Sequence, residues 1–447
     1  MQFEAKMIDN HRLPEHQRRQ RSTSDKGKSA DQRRDWRFWI SLALVAITTI
    51  ALPISGPWFY GGLPSQIFLL STTWFLATQI KNYERIWWVG APALLWCFMV
   101  VPPVLSHTGD TGEAIRMLRT LGVMPAFSLC YGFFMARANP KLLTVALVLS
   151  AIVNMVLMYQ SAVMSGEIAL ANTGQMARTY ANIVTGEDIL ATGATANCLA
   201  AFILSAWILP ARSAWSRAVY TIIFVAGASF GVYTGTRSPV VASVLVLLLQ
   251  YFAAITNGRR VWLRVFVSVA GIFLAVIVGN MLVPAESLVF LDRFSVDSLS
   301  DSSFSGRSVI WEANWDKILM NPGGYGSLET NEYDAASSHN LLLEMIILTG
   351  WIPGLFVTLF VLFVSTLSGR YLFAANVSDN VRRLSAAVLI ATMFNMVEAT
   401  IRSSQQAFNW TLVLFGAFLA VAGSKDLALQ KNEGEQGSKL QIDPVWP

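Results

Sequence analysis

Residues 341–367 read LLLEMIILTGWIPGLFVTLFVLFVSTL, and Glu344 is their single charge. A helix needs roughly 20 apolar residues to cross a bilayer, and this run exceeds that. Gly350, Pro353 and Gly354 interrupt it, so we expect a short entry helix followed by a full span. The same test applied outward finds further runs at 38–54, 62–80, 86–105, 118–136, 141–163, 189–209, 218–236, 239–256, 262–283, 384–401 and 406–423. The expected fold is therefore an all-α polytopic integral membrane protein with about twelve transmembrane helices.

Composition points the same way. Of 447 residues, 54% are hydrophobic and 14% charged, where a soluble domain carries roughly 25% charged residues. Mean hydropathy is +0.47. So few charges cannot cover a water-exposed surface. This excludes a nucleic-acid binder, a cytosolic enzyme and a disulfide-stapled secreted domain. Cys97, Cys130 and Cys198 all lie in apolar runs, so we expect neither a disulfide nor a thiolate metal site. The net charge of +5 records basic loops rather than a polyanionic partner.

Lys and Arg placement tests the count of spans. With the N-terminal tail inside and every run crossing, 25 of the 33 basic residues fall on the inner side. Cytoplasmic loops are enriched in Lys and Arg, so this bias supports both the count and the orientation. The chain divides into a basic cytoplasmic tail, disordered, at 1–37, nine spans over 38–283, a large outer loop at 284–340, three spans over 341–423, and a cytoplasmic tail at 424–447. A single large outer loop in a compact bundle usually carries or covers a site.

Eight basic residues remain outside: Arg116, Arg119, Arg178, Arg237, Arg293, Arg307, Lys317 and Arg402. Arginine offers a planar fork suited to phosphate and carboxylate. Arg237 precedes Ser238-Pro239, a cap and first-turn pair, and so stands beside an expected helix N-terminus that also favours an anion. Snorkelling to lipid head groups is the alternative. Arg307, Trp311, Trp315 and Ile318 follow helical spacing, which suggests a helix lying on the outer interface. Arg307 then sits at head-group level, as an anchor or as a ligand contact. Asn321-Pro322-Gly323-Gly324-Tyr325-Gly326 ends that helix in a turn.

His339 stands where the large loop enters the tenth run. A helix N-terminus disfavours a positive charge, so its imidazole should stay neutral and able to accept a proton. Simple capping of the helix is the alternative. Glu344, just inside the apolar run, is costly there unless paired or functional. Glu398 and Arg402 have the spacing of an ion pair on one helix. No metal-ligand cluster, acidic pair or nucleotide-binding loop is visible in the sequence.

Together these segments resemble the O-antigen ligase and polymerase group, Wzy-type glycosyltransferases that use polyprenyl-diphosphate donors. The matching pieces are Gly235-Thr236-Arg237-Ser238, then Gly306-Arg307 with Ile310-Trp311 and Asn321-Pro322, then Ser338-His339-Asn340 with Leu343 and Glu344, then Gly350 and Gly354. The resemblance covers roughly residues 230–370. It implies a GT-C-like membrane fold in the bacterial inner membrane, with both termini cytoplasmic, and short interfacial helices in a large periplasmic loop that holds the active site. It further implies an undecaprenyl-diphosphate-linked glycan donor, a glycan or lipid A-core acceptor, and transfer without a metal or other cofactor. Membrane lipids and a chain-length regulator are the further partners, and no nucleic acid. Carried over residue by residue, Arg237 and Arg307 bind the donor diphosphate and His339 acts as, or positions, the general base, with Glu344, Arg178 and Arg402 in support. Ala177-Arg178-Thr179-Tyr180 departs from the family's pattern. Polymerisation of exopolysaccharide or O-antigen is the expected activity. Ligation to lipid A-core and lipid-linked oligosaccharide export are the alternatives. An exporter would show repeats and mid-membrane polar groups, whereas the polar groups singled out here cluster at the outer face.

Overall fold

The computed structural model describes residues 36–50, 63–79, 86–164, 179–181, 188–190, 199–206, 214–233, 238–255, 269–271, 274, 303–326, 340–374, 377–397 and 401–422. The helices are α1 (Trp36–Ile50), α2 (Leu63–Gln79), α3 (Trp87–His107), α4 (Thr111–Met117) and, beyond a π-helical segment at Leu118–Val123, α5 (Met124–Ala138). They continue as α6 (Pro140–Met164), α7 (199–206), α8 (Ala214–Tyr233), α9 (Ser238–Ile255), α10 (Ser303–Met320), α11 (Leu341–Thr349), α12 (Trp351–Phe373), α13 (Asp379–Val397) and α14 (Ile401–Ala422). Most apolar runs of the sequence thus coincide with helices. The ninth run, 262–283, lies almost wholly outside the described residues, as do the two tails apart from Trp36 and Arg37, which open α1.

Among the described residues, three helical stretches are long and apolar enough to cross a membrane: Trp87–His107, Thr111–Ala138 and Trp351–Phe373. Five shorter apolar helices accompany them, at Trp36–Ile50, Gln66–Thr78, Pro140–Val153, Ala214–Ala228 and Phe408–Ala422. The run at 341–367 breaks at Gly350, which adopts φ 86° between α11 and α12. The sixth run departs from expectation at its start. Ile189 and Leu190 look like the beginning of a span by hydropathy. They lie instead in a short strand, Asp188–Leu190, paired antiparallel with Thr179–Ala181 in the register Thr179↔Leu190, Tyr180↔Ile189 and Ala181↔Asp188.

The core is built around α5 and α14. Within Thr111–Ala138, 72% of the most apolar window is buried, against 33% for α3 and for α12. α5 and α14 approach at backbone distance. A Cβ on Gly132 would overlap Val413 O, and one on Gly416 would overlap Leu129 O and come within 2.8 Å of Phe133 N. Small residues at a crossing let two helices gain dispersion contacts along their length, which matters because lipid gives no hydrophobic drive between them. Tyr131 fills the next layer against Phe68 and Phe75. Polar ties between helices among the described residues include Thr48 Oγ1 with Ser71 Oγ at 2.6 Å, and Asn395 Nδ2 to Thr411 Oγ1 at 2.6 Å.

The outward stripes are apolar. Ile352, Leu355, Leu359 and Leu362 on α12 are all exposed, as are Leu94, Phe98 and Leu105 on α3. Spacing of three and four residues makes each set one face of its helix, the pattern of a lipid-facing surface. The π segment sits between α4 and α5 opposite α3, where Trp96 Nε1 donates to Leu121 O at 2.7 Å.

Candidate functional site

The best-defined geometry lies where the turn after α10 meets the break between α11 and α12. Asn321 Nδ2 donates to Gly324 O at 3.1 Å and closes the turn on itself. Tyr325 N and Gly326 N then donate to Ile347 O and Leu348 O, both at 2.9 Å, and Trp351 N donates to Pro322 O at 3.0 Å. The turn therefore pairs with carbonyls at the end of α11 and with the first amide of α12, groups a broken helix leaves without intrahelical partners. Gly324 and Gly350 have φ 87° and 86°, a region that side chains with a Cβ rarely enter. They also touch: a Cβ on Gly324 would overlap Gly350 N, and one on Gly350 would come within 2.6 Å of Gly323 O.

α10 rests on α11 along a narrow line. Ile318 packs with Tyr325 and Ile347, flanked by Leu343, Ile346 and Trp351. Trp315 meets Trp351 edge-on at 5.4 Å between ring centroids. Between the middle of α10 and the start of α11 a groove of about 540 Å³ opens, lined by Trp311, Glu312, Asn340, Leu342 and Thr358 among others. The two helices thus lie side by side and run in the same direction. Sequence spacing placed Trp311, Trp315 and Ile318 on one face, and the structure divides that face. Ile318 is 1% exposed, whereas Trp311 and Trp315 are 39% and 43% exposed. The buried line continues instead through Asn314, which is 0% exposed with neither carboxamide atom hydrogen-bonded among the described residues. Hydropathy cannot find a buried line that includes an asparagine.

The sequence-derived site residues stand as follows. α9 starts at Ser238 with Pro239 next, as the sequence implied, and Arg237 lies outside the described residues immediately before it. Arg307 belongs to the second turn of α10, with its side chain outside the described set. His339 is also outside, but its neighbour defines the helix start. Asn340 is the N-cap of α11, its Oδ1 accepting from Leu342 N at 3.1 Å and Leu343 N at 3.2 Å. The capping role that was the alternative reading of His339 is thus taken by Asn340. Glu344 is fully buried in the first turn of α11, where the helix dipole favours a carboxylate. Arg178 is outside the described residues, directly before the strand Thr179–Ala181. Arg402 is the second residue of α14 rather than part of the helix that ends at Val397, and Glu398 is outside the described residues.

Two features escaped the sequence. His107, the last residue of α3, lies against the turn, with Nε2 3.2 Å from Asn321 Nδ2 and its ring 6.5 Å from that of Tyr325. No spacing rule links residues 214 positions apart. Arg119 is half-buried on the π segment, with Nε enclosed and without a hydrogen-bond partner among the described residues. π-helical segments recur at functional sites. Its signal was visible in the sequence as an arginine inside an apolar run.

No curated protein matches the chain. Residues 222–359 match a family model, Wzy_C, described as O-Antigen ligase. The matched stretch runs from α8 through the first turns of α12 and includes the positions of Arg237, Arg307 and His339 together with the turn and the helix break. The similarity to the Wzy_C O-antigen ligase model thus covers residues 222–359 of this helical, apolar chain and no more of it.

Proposed function

We propose that the protein is a membrane glycosyltransferase that moves an undecaprenyl-diphosphate-linked glycan onto an acceptor hydroxyl at the periplasmic face of the inner membrane, polymerising exopolysaccharide or O-antigen repeat units. The observation that carries this is the matched segment, which holds all three of the residues that the chemistry needs. The proposed topology is twelve spans with both termini cytoplasmic, so that the helix starts at Ser238 and Leu341 face the periplasm.

A polyprenyl tail lies in the bilayer, which keeps its diphosphate at the outer interface. Arg237 and Arg307 grip it by charge-assisted, bidentate contacts. The acceptor oxygen attacks the anomeric carbon and forms the new glycosidic bond. The bond from that carbon to the diphosphate oxygen breaks, and the electron pair leaves with polyprenyl diphosphate. The hydroxyl proton passes to His339, whose neutral imidazole is favoured beside a helix N-terminus. Fixed guanidinium groups offset the growing negative charge in a site partly shielded from water, the part a divalent ion plays elsewhere. Direct displacement inverts the anomeric centre. Glu344, Arg178 and Arg402 are assigned supporting roles.

The family description favours a second reading, ligation of the glycan to lipid A-core. Purified protein given a synthetic lipid-diphosphate glycan in EDTA tests both. With a second lipid-linked repeat as acceptor a polymerase makes longer chains, and with lipid A-core a ligase makes capped core. The variants Arg237→Ala, Arg307→Ala and His339→Ala should abolish either product while the folded protein persists. Full activity in all three would end the proposal. Movement of the lipid-linked glycan across a vesicle without any new glycosidic bond would make the protein an exporter instead.

A further inference from the structure

The end of α3 and the turn after α10 share a hydrogen-bond chain whose proton positions follow from geometry. Asn321 Nδ2 donates to Gly324 O at 3.1 Å, which fixes the orientation of the carboxamide. The same nitrogen lies 3.2 Å from His107 Nε2. A carboxamide nitrogen only donates, so His107 Nε2 accepts. The ring proton is then on Nδ1, which faces Pro103 O at 3.1 Å and Ser106 Oγ at 2.8 Å, both able to accept. Every atom of the chain is satisfied by a neutral imidazole. A proton added at Nε2 would point at the hydrogens of Asn321 Nδ2, and the carboxamide cannot turn over without giving up Gly324 O.

We infer that His107 is a positioning residue for the site proposed above, holding the turn after α10 against α3 while its imidazole is neutral. The inference rests on that reading for the identity of the site. The turn is the common pivot of two helices. On one side Asn321 ends α10, and Arg307 lies on that helix about 21 Å back along the axis at 1.5 Å per residue. On the other side the turn binds Ile347 O and Leu348 O of α11, whose opposite end opens at Asn340, next to His339. A tilt of about 3° at the pivot moves the backbone at Arg307 by about 1 Å, and misplacement of that size costs on the order of 100-fold in rate. The turn also abuts α3 directly, since a Cβ on Gly326 would overlap Pro103 O. A histidine from the N-terminal half, outside the matched segment, thus sets an angle inside it. The ionisable groups on the elements around the ring are Asp110 at the N-cap of α4, Glu113 and Arg116 on α4, Arg307, Glu312, Asp316 and Lys317 on α10, Glu344 on α11, and Tyr325, whose hydroxyl donates to Lys317 O.

The test uses the full-length protein and His107→Gln, whose side-chain oxygen accepts from Asn321 at every pH. Amide hydrogen exchange reads the protection factors of Tyr325 and Gly326 between about pH 8 and pH 5. Protection in the wild type should fall about 2- to 10-fold on acidification, the value of one hydrogen bond. It should stay flat in His107→Gln and be low throughout in Asn321→Ala. In transfer assays the kcat of His107→Gln relative to wild type should rise by a similar factor as pH falls, because titration of His339 is common to both and cancels. Identical protection profiles in the two proteins, or a kcat ratio independent of pH, overturn the inference. Absence of transfer by the wild type would defeat the proposed reaction instead, and the exchange profiles would then decide the role of His107 by themselves.

Discussion

α5 and α10 are helices of similar length, 15 and 18 residues, held in place by opposite means. α5 is buried around nearly its whole circumference. Leu129, Tyr131, Phe133, Phe134 and Met135 are all inside, and Gly132 brings the backbone of α14 into contact. Among its described side chains, α10 buries a line through Asn314 and Ile318 and leaves Trp311, Trp315, Leu319 and Met320 exposed. Its C-terminal end is fixed by a turn whose amides donate to carbonyls of α11 and whose Pro322 carbonyl accepts from the first amide of α12. Close packing resists any change in volume but has little directionality. Hydrogen bonds at a turn fix an angle while leaving the rest of the helix open to lipid, water and ligand. The first arrangement suits a core. The second suits the role proposed for α10, which is to present Arg307 to a substrate.

Substitutions at each region sharpen this contrast. The largest effect belongs to the core. Gly132→Val forces α5 and α14 apart and should cost above about 3 kcal/mol, beyond ordinary overpacking, so that no monodisperse protein is recovered in detergent. Gly369→Val is its control, because nothing lies within 4 Å of a Cβ there, and its Tm should match wild type. Next comes a change that spares stability. His339→Ala should lower kcat by about 100- to 10,000-fold, the range for general-base catalysis, with Tm unchanged because Asn340 caps the helix. A large fall in Tm would return His339 to a structural role. Gly350→Ala places a Cβ at positive φ against Gly323 O, and backbone strain of about 1–3 kcal/mol should appear as a lower Tm together with lost activity. Asn340→Ala removes the N-cap of α11 and should cost about 1 kcal/mol by thermal unfolding. Thr48→Val breaks the Thr48–Ser71 bond in the span region and should cost only about 0.6 kcal/mol, with activity intact. A Thr48 variant more damaging than Gly350→Ala would break the contrast, because membrane-buried polar ties would then outweigh the turn.

Much of the helical layout was legible because apolar runs are local. The break at Gly350, the helix start at Ser238 and the turn at Asn321 all follow from Gly, Pro, Ser and Asn at positions where backbone geometry demands them. Hydropathy failed where another interaction competed. Ile189 and Leu190 are apolar enough to begin a span, yet their backbone groups pair with a second strand. The spacing of Glu398 and Arg402 suggests one shared helix, whereas Arg402 is the second residue of α14, after the helix that ends at Val397. The candidate arginines and His339 were visible as rare polar residues among apolar runs, and the partners of the turn after α10 were not.

The sequence by itself determined that the chain is largely helical and apolar, where several of its helices start and break, and which segment resembles the ligase family, because hydropathy, capping and turn chemistry act within a few residues. Only the tertiary structure decided that α5 and α14 meet at Gly132 and Gly416, that Asn314 is on the buried line of α10, and that His107 lies against Asn321. Those contacts join residues far apart in the chain, and their energies depend on distances that exist only once the helices have packed.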